Sequence, residues 1–396
     1  MSTPADPRHA PAAGRAPQRG PALSPRERFL RTVRFQSVDR VPYHELGFWG
    51  QTIERWLGEG MPAGVAEDDV WRGSGFFRTD ARDFIHLNIF MVPPFNYKVL
   101  GEDARTVTFV DYEGVTHLAL KEGTVRGTRA SMDQYIRFPV ETPKDFAAMR
   151  ERFQAREPSR YPADWTRMVE RWRRRDYPLC LLTNATFGLY SMLRRWMGTE
   201  NLSYAWHDQP RLVHEMLDFL TEFFIELTGP ALKAVEVDYF NFFEDLAFKT
   251  GPLLSPATFR EFLMPRYRRI IEHLHGHGVG VITYDTDGNS EPLIPDLIAA
   301  GVSLLWPCEC AAGMDVRRLR AKYGHDLALS GGIDKRELAK GRKEIEREVT
   351  AKVAPLIEDG GYIPTVDHAV PPDVSYANFM YYLDVKCAVA EGRYGA

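Results

Sequence analysis

The sequence has few cysteines and no long uninterrupted apolar stretch. Four cysteines occur among 396 residues, and without a secretory context so few are typical of reduced thiols rather than of a disulfide framework. No apolar run approaches the roughly 18 residues that a membrane span needs. We therefore expect a protein with neither disulfides nor membrane-spanning segments, and we predict a cytoplasmic location.

The chain also lacks an excess of positive charge. It carries 50 lysines and arginines against 54 aspartates and glutamates, a formal net charge of -4, so nucleic acid is not an expected partner. Residues 1–23 are rich in Pro, Ala, Gly and Arg but lack the apolar core of a secretory signal. The sequence predicts a disordered tail over residues 1–23 and one folded domain over residues 24–396.

Short β-rich runs alternate with longer amphipathic segments along the rest of the chain. The hydrophobic content of 44% is sufficient for a large core. Helices are predicted to begin where a serine precedes a proline, at Ser24-Pro25 and at Ser255-Pro256. The predicted strands are residues 41–49, 178–184, 235–245, 278–285, 302–309, 326–332 and 360–368.

Strands that alternate with helices favour a parallel sheet, and seven largely apolar strands fit a closed barrel better than a half-exposed open sheet. The pattern therefore predicts an α/β fold, a single (β/α)8 TIM barrel whose eighth strand the sequence does not place. Residues 106–124 interrupt the alternation, because two runs of alternating polarity flank Glu113-Gly114. This segment predicts an inserted β-hairpin.

Polar side chains close nearly every predicted strand. The active site of such a barrel lies at the carboxyl ends of its strands, so these residues are the candidates for function. Any one of them is as often a helix cap as a ligand, but capping does not explain their convergence from seven strands. The residues are Glu45, Asn184, Glu244, Asp245, Asp285, Asp287, Glu309, Asp367 and His368.

The segment YDTDGN, residues 284–289, carries two aspartates one residue apart. It is not typical of an EF-hand calcium loop, which needs Gly and Glu where this chain has Ser290 and Asp296. Strand alternation places Asp285 and Asp287 on one side, where each raises the pKa of the other unless a cation or donor intervenes. Either a metal, bound by Asp285, Asp287 and His368, or a retained proton for general acid catalysis satisfies this arrangement.

Six segments follow one another in a recognisable order over roughly residues 25 to 390: VDRVPYHELGFW, LTNATFGLYSMLRRWMG, FNFFEDLAFKTGPLLSPATFREFLMPRY, YDTDGN, SGGIDKREL and GYIPTVDHAVPPDVSYANF. Their order resembles the uroporphyrinogen decarboxylase (URO-D) superfamily. The resemblance implies a single-domain barrel and, for many members, a homodimer. It covers decarboxylases of haem biosynthesis and zinc-dependent methyltransferases that exchange methyl groups with corrinoid proteins or thiols.

Two departures separate this chain from the best-known members. Decarboxylases of the superfamily carry Arg-Gln-Ala-Gly-Arg where residues 44–51 read HELGFWGQ, so the arginines that hold carboxylates are missing there. Methyltransferases carry His-x-Cys-Gly-Asn where residues 285–289 read DTDGN. Carboxylates replace the softer ligands, which weakens the case for zinc that activates a thiol and leaves zinc, a harder divalent metal and no metal as the alternatives. The hairpin and the segments PCECAAGMD and DHAVPPDV are closer to the methyltransferase-like branch.

Our first hypothesis is a metal-assisted transfer of a methyl or related one-carbon group on a small substrate, with a corrinoid protein as partner. Asp287, Asp245 and His368 are the predicted catalytic residues. Two alternatives stay open: decarboxylation of a porphyrinogen-type acid, with a carboxylic acid protonating the ring carbon, and tetrapyrrole or corrinoid binding without catalysis. The predicted substrate contacts are Glu45, Asn184, Glu244, Tyr284, Glu309 and Asp367.

Overall fold

A computed structural model describes residues 22–66, 69–129, 131–182 and 186–394. The predicted tail, apart from residues 22 and 23, therefore lies outside the described residues. The helices are α1 (Pro25–Val33), α2 (Gly50–Gly58), α3 (Pro143–Arg150), α4 (Trp165–Arg173), α5 (Leu189–Met197), α6 (Thr199–Asp208), α7 (Pro210–Ala234), α8 (Pro256–Thr258), α9 (Met264–Gly276), α10 (Ile294–Ala300), α11 (Val316–Tyr323), α12 (Lys335–Leu338), α13 (Arg342–Asp359) and α14 (Tyr376–Ala390). The strands are β1 (Asp83–Ile85), β2 (Lys98–Glu102), β3 (Thr106–Val110), β4 (Thr116–Leu120), β5 (Thr124–Val125), β6 (Thr128–Arg129), β7 (Gln134–Arg137), β8 (Leu179–Leu181), β9 (Tyr239–Phe243), β10 (Ala247–Phe248), β11 (Gly251–Pro252), β12 (Val281–Asp285), β13 (Leu304–Trp306), β14 (Ala328–Ser330) and β15 (Tyr362–Ile363).

The helices begin where local sequence chemistry favours them. The Ser24 hydroxyl accepts a hydrogen bond from the Glu27 amide, and Pro25 occupies the first turn of α1. Ser255 caps α8 in the same way, and a π-helical turn, Phe259–Leu263, joins α8 to α9. Both predicted helix starts are confirmed by these contacts.

A seven-stranded parallel sheet forms the centre of the molecule. Its strand order is β1-β8-β9-β12-β13-β14-β15, and every neighbouring pair runs parallel. The arrangement confirms the α/β class and is consistent with a barrel-like fold. The closed barrel of eight strands stays a prediction.

Two strand predictions differ from the structure. Residues 41–49 form no strand and make only an isolated parallel bridge, between Phe48 and Val370. One reason is that a side chain takes a backbone hydrogen bond that a neighbouring strand would otherwise accept. The Tyr43 amide donates to the Asp80 carboxylate at 3.0 Å. The seventh strand is instead β1, whose three residues are too short to show a recognisable alternation in the sequence.

The two faces of the parallel sheet have different neighbours, as strand alternation requires. Ile282 and Tyr284 of β12 join the large apolar core that includes residues of the surrounding helices. The residues on either side of Ile282 belong to the opposite, inner face. The inner-face cluster, which two residues of α1 complete, consists of Phe29, Val33, Phe84, Cys180, Tyr239, Val281, Leu304, Trp306, Ala328 and Ile363.

A separate antiparallel sheet with the order β2-β3-β4-β7 lies within residues 98–137. Strands β3 and β4 pair antiparallel across a turn in which the Val115 amide donates to the Asp111 carboxylate at 2.8 Å. Gly114 is required in this turn, since its φ is +85° and a Cβ would lie 2.8 Å from the Phe95 ring. The antiparallel pairing matches the hairpin predicted over residues 106–124, whereas its status as an insertion stays a prediction.

The longest helix among the described residues is α7, with 25 residues. It includes charged residues and an internal proline, Pro230. Within the described part of the chain, no helix combines the length and apolar character that crossing a bilayer requires.

A buried ion pair fastens residues 41–49 to the C-terminal helix. Glu45 is fully buried, and one of its carboxylate oxygens accepts hydrogen bonds from Lys386 and, at 2.8 Å, from the Tyr382 hydroxyl. The Val366 amide donates to the other oxygen at 3.2 Å. These contacts stabilise the packing of α14, and the substrate-binding role of Glu45 stays a prediction.

Replacing Lys386 with methionine should lower the free energy of unfolding by about 3–5 kcal/mol, because Glu45 would stay buried without its cation. Urea unfolding at pH 7 measures this loss. The double variant Glu45→Gln/Lys386→Met, in which no charge is left unpaired, should be more stable than the single variant. A double variant that is less stable than Lys386→Met would contradict this account.

Candidate functional site

The site is built at the carboxyl ends of three neighbouring strands. Strands β9, β12 and β13 pair side by side, with Asp285 in register with Phe243 and Trp306. The chain segments that leave these strands therefore start close together. They carry Asp245, Asp287 and Glu309 respectively.

Asp285 is the last residue of β12, and its side chain lies on the same face as Thr283 and Val281, two and four residues earlier. The residue is 8% exposed, and its carboxyl group has no hydrogen-bond or ion-pair partner anywhere in the described ranges. Burial raises the pKa of Asp285 well above its usual value, and the nearby carboxylates of Asp287 and Asp245 raise it further. The arrangement favours a carboxylic acid that keeps its proton.

His368 and Asp287 are in contact. Among the predicted catalytic residues, which are Asp287, Asp245 and His368, this is the one contact between an imidazole and a carboxylate in the described part of the chain. His368 Nε2 lies 3.3 Å from Asp287 Oδ2, and the two side chains are 30% and 39% exposed. The hydrogen bond with Asp287 raises the pKa of His368, against the effect of burial. The pair therefore gives the site a solvent-accessible group that exchanges protons close to neutral pH.

Asp245 approaches the same cluster with a strained backbone. Its φ is +45°, a left-handed conformation that non-glycine residues rarely adopt. Burial and the Asp287 charge raise the pKa of its carboxyl group, while Arg194 of α5 lies 3.3 Å away. Leu182 after β8 and Cys308 after β13 also have positive φ values, so three of the six non-glycine residues with positive φ in the described ranges follow strands of the parallel sheet.

A glycine holds the 284–289 segment in place. A Cβ on Gly288 would lie 2.4 Å from the Ala247 carbonyl oxygen, and its φ of +74° also favours glycine. The Gly288 amide donates to Glu309 at 3.3 Å, and the Asn289 amide donates to the Phe248 carbonyl at 2.8 Å. The loop is thus fixed by backbone contacts and not by a calcium ion's ligand geometry.

Glu309 and Asp367 share one lysine. Lys335 Nζ lies 3.1 Å from Glu309 and 3.6 Å from Asp367. Asp367 is fully buried and also accepts hydrogen bonds from the backbone amides of Lys335 and Cys310. Its carboxylate therefore holds the start of α12, whereas Glu309 and Lys335 are about one-fifth exposed and border the acidic cluster.

Glu244 and Tyr284 lie behind the sheet, away from that cluster. Glu244 is fully buried, and the amides of Leu189 and Ser191, at the start of α5, donate to its carboxylate at 2.6 and 3.0 Å. Tyr267 donates to it as well and lies 3.2 Å from the Tyr284 hydroxyl. Burial raises the pKa of Glu244 to about 7. The substrate-binding roles predicted for both residues stay predictions.

The structure does not place the predicted metal ligands as a metal site. Asp285, Asp287 and His368 are near one another, but no three His, Cys, Asp or Glu side chains in the described segments are grouped so that they could hold a metal ion. The metal-binding role of Asp285, Asp287 and His368 therefore stays a prediction. Asn184, a predicted substrate contact, lies outside the described residues.

Sequence reasoning missed the cations of the site. Arg194 contacts Asp245 and Lys335 contacts Glu309, yet neither cation is among the predicted site residues. Lys335 carried a usable signal, because it is the first residue of α12 and follows strand β14 by five residues. Arg194 lies in the middle of α5, and nothing in its local pattern indicates where its side chain points.

A comparison with profiles of known protein families identifies the family of this chain. The profile described as uroporphyrinogen decarboxylase (URO-D) matches residues 129–386, which is well over half of the chain. The chain belongs to the uroporphyrinogen decarboxylase family. The resemblance seen in the sequence is therefore confirmed.

Curated relatives of this URO-D family protein are distant. It is 24% identical over 231 residues to a uroporphyrinogen decarboxylase of Pelodictyon phaeoclathratiforme, a match that covers 55% of this chain and 62% of that protein. It is 28% identical to a uroporphyrinogen decarboxylase of Cellvibrio japonicus, over 42% of this chain and 46% of that protein. The chain spans about half the length of the curated relatives it matches.

Among solved structures, the chain is similar to a methyltransferase from Methanosarcina mazei. The match has a TM-score of 0.59 with 16% identity, and it covers 94% of this chain and 100% of that one. At this identity the likeness establishes a shared fold over nearly the whole chain and leaves the reaction open.

The raised pKa of Asp285 predicts how the free energy of unfolding changes with pH. Because its pKa is higher in the folded state than the unfolded value of about 3.9, its stabilising contribution is complete below that value and is lost as the pH rises through the folded pKa. Asparagine does not ionise, so Asp285→Asn should gain stability relative to the wild type between pH 5 and pH 9. Urea unfolding of both proteins measures the difference, and a difference that does not change with pH would contradict the burial of an acid here.

The Asp287–His368 contact predicts a second titration. Asp287→Asn removes the carboxylate that raises the pKa of His368, so that pKa should fall, because burial then acts without an opposing charge. Titration of the His368 ring by ¹H–¹⁵N NMR, assigned with His368→Gln, measures the change. An unaltered His368 pKa in the variant would show that the two side chains do not interact in solution.

Proposed function

We propose that this protein is a URO-D family enzyme in which the Asp285 carboxylic acid delivers a proton during transfer of a methyl or related one-carbon group from a small substrate. One observation carries the proposal: a carboxyl group at the carboxyl end of a parallel strand is buried without a partner among the described residues and lies beside two other carboxylates. A group that keeps its proton in a cleft is a candidate general acid.

The chemistry needs such an acid at one defined point. When a methyl group leaves an oxygen, nitrogen or sulfur atom, the bond to that atom breaks, its electron pair stays on the leaving atom, and the acceptor's electron pair forms the new bond. Asp285 donates its proton to the leaving atom, which avoids a high-energy anion. The Asp287–His368 pair, which solvent reaches, restores the proton.

The charges around Asp285 favour a small substrate over a polyacid. Asp245 and Asp287 lie close enough to alter its pKa, so several substrate carboxylates placed there would be repelled. Residues 44–51 supply no arginine. The methyltransferase-like branch of the family is therefore the better comparison for this site.

Decarboxylation is the second candidate, and a specific observation supports it. The curated relatives from Pelodictyon phaeoclathratiforme and Cellvibrio japonicus both carry that name. Loss of carbon dioxide leaves a carbanion that an acid such as Asp285 protonates, so the same group serves either reaction. A barrel that binds a tetrapyrrole or corrinoid without turnover is the third candidate.

We also propose that the sheet closes into a single barrel domain, with residues 41–49 between β15 and β1. Supporting contacts exist on both sides of this segment. Phe48 bridges Val370, and the Asp80 amide donates to the Tyr43 carbonyl at 2.8 Å. A corrinoid protein as methyl acceptor, a homodimer and a cytoplasmic location stay part of the proposal on the strength of the family resemblance.

The experiment offers chemically distinct methyl donors and follows the acceptor. Methanol, dimethyl sulfide and anisole are each incubated with the protein and cob(I)alamin, whose methylation changes its visible spectrum. Activity with one donor should fall by about 10²–10⁴-fold in Asp285→Asn, the usual contribution of a general acid. Asp296→Asn, which alters a carboxylate that Arg260 contacts on α10, should leave the rate within twofold.

Uroporphyrinogen is tested in parallel, with release of ¹⁴C-labelled carbon dioxide as the readout. Carbon dioxide release that Asp285→Asn abolishes, without methylation from any donor, would replace methyl transfer by decarboxylation and leave the acid in place. Turnover of either kind that is unchanged in Asp285→Asn would overturn the proposed role of Asp285. Saturable binding of uroporphyrinogen or cobalamin without turnover would favour the non-catalytic candidate.

A further inference from the structure

A small cavity lies on the inner face of the parallel sheet. Its volume is about 40 Å³, and Arg82, Tyr239, Thr283 and Ser330 are among the residues that line it. Thr283 precedes Asp285 by two residues on β12, so the cavity lies one inward-facing layer, about 7 Å, below the acidic cluster. The neighbouring β13 contributes Trp306 to its wall.

Arg82 reaches this cavity with much of its hydrogen-bonding capacity unused. Its Nε donates to the Trp71 carbonyl at 2.7 Å and its Nη2 to the Glu45 carbonyl at 3.2 Å. Nη1 donates to no backbone carbonyl in the described ranges, the Tyr239 hydroxyl lies close to the guanidinium, and no carboxylate there lies within ion-pair distance. The guanidinium is therefore a buried positive charge, 9% exposed as a residue, without an anion.

Another buried arginine has its donors satisfied by backbone carbonyls alone. Arg160 is 1% exposed, and all three of its nitrogens donate to backbone carbonyls, those of Gln154, Asn88, Phe90 and Arg152. Arg160 needs no anion because its donors are satisfied. Arg82 lines a cavity with a guanidinium that no carboxylate contacts in the described ranges, and a planar fork of donors is suited to bind a carboxylate.

A second polar group points to the same ligand. Tyr239 is 4% exposed, and its hydroxyl makes no well-aligned hydrogen bond in the described part of the chain, while the Arg82 guanidinium and the Cys180 thiol lie close to it. A buried hydroxyl without a well-formed hydrogen bond is costly, and here it lines the cavity beside Arg82. His44 adds no charge, because burial and the Arg82 cation lower its pKa well below its usual value.

We propose that this cavity binds one carboxylate group of a small organic acid, with Arg82 as the anchoring cation and the Tyr239 hydroxyl as an additional donor. The volume of 40 Å³ holds on the order of three water molecules, which suits a single carboxylate and excludes a second acid arm. As a statement about the substrate, the inference rests on the proposed function. The molecule so held would extend its other end toward Asp285.

Formate is the probe, because it consists of little more than the carboxylate. Isothermal titration calorimetry at pH 7, with ionic strength held constant by sodium chloride, should show saturable binding at one site per chain. For so few atoms we expect a dissociation constant on the order of 1 mM or weaker. Tyr239→Phe should weaken binding about tenfold, and Arg82→Met should weaken it more than tenfold.

The matched control is Tyr362→Phe. Tyr362 is a buried tyrosine on the other face of the same sheet, and its hydroxyl donates to the Gly331 carbonyl at 2.8 Å. Its loss should leave formate affinity within twofold of the wild type. If Arg82→Met does not fold, Tyr239→Phe decides the matter, since it removes a single hydroxyl and keeps the ring.

Failure to bind formate in a saturable way up to about 100 mM, a level well above the expected constant, would overturn the inference, as would equal affinity in the wild type and Tyr239→Phe. Asp285→Asn separates this result from the proposed function, because it should lose turnover and keep formate binding. Turnover that depends on Asp285 together with absent formate binding would refute the carboxylate site alone. Formate binding that requires Arg82 together with turnover independent of Asp285 would refute the catalytic proposal alone.

Discussion

An unpartnered carboxyl group at the end of a buried strand constrains everything around it. Asp285 is removed from water by the sheet that carries it, and no donor or cation in the described residues compensates for that loss. Ionising such a group costs several kcal/mol, so the neutral acid has the lower free energy. Asp245 and Asp287 enlarge the cost because their charges repel a third one.

The fold produces this situation through backbone geometry. Parallel pairing of β9 with β12 brings two strand ends together, and the alternation along β12 turns Tyr284 toward the helices and Asp285 toward the inner face. Gly288 allows the following loop to pack against the Ala247 carbonyl. Asp245 keeps its left-handed backbone at a cost of order 1–3 kcal/mol, which the surrounding packing must offset.

Local patterns in the sequence were sufficient for the parts of the fold that local chemistry determines. The caps at Ser24 and Ser255 depend on neighbouring residues, and six of the seven parallel strands occur within predicted runs. The prediction that Asp285 and Asp287 lie on one side of the strand followed from their spacing of two residues. These features need no knowledge of distant parts of the chain.

The partners of the buried charges were beyond such reasoning. Glu45 meets Lys386 across 341 positions and Asp245 meets Arg194 across 51, so no window of sequence relates them. The same holds for Arg82, whose place above the inner-face cavity depends on the strand β1 that was too short to recognise. A carboxylate that is predicted from the sequence to contact substrate can thus also join distant parts of the fold. The hydrogen bonds of Glu45 with Tyr382 and of Glu244 with the start of α5 are examples.

The central claim is that Asp285 carries a proton at neutral pH, and infrared spectroscopy tests it without knowledge of the substrate. The difference spectrum between the wild type and Asp285→Asn at pH 7, recorded with uniformly ¹³C-aspartate-labelled protein, isolates this one carboxyl group. The account predicts a carboxylic acid C=O stretching band in the wild type that the variant lacks. A difference spectrum that shows only the loss of carboxylate bands would mean that Asp285 is ionised, and would contradict the account.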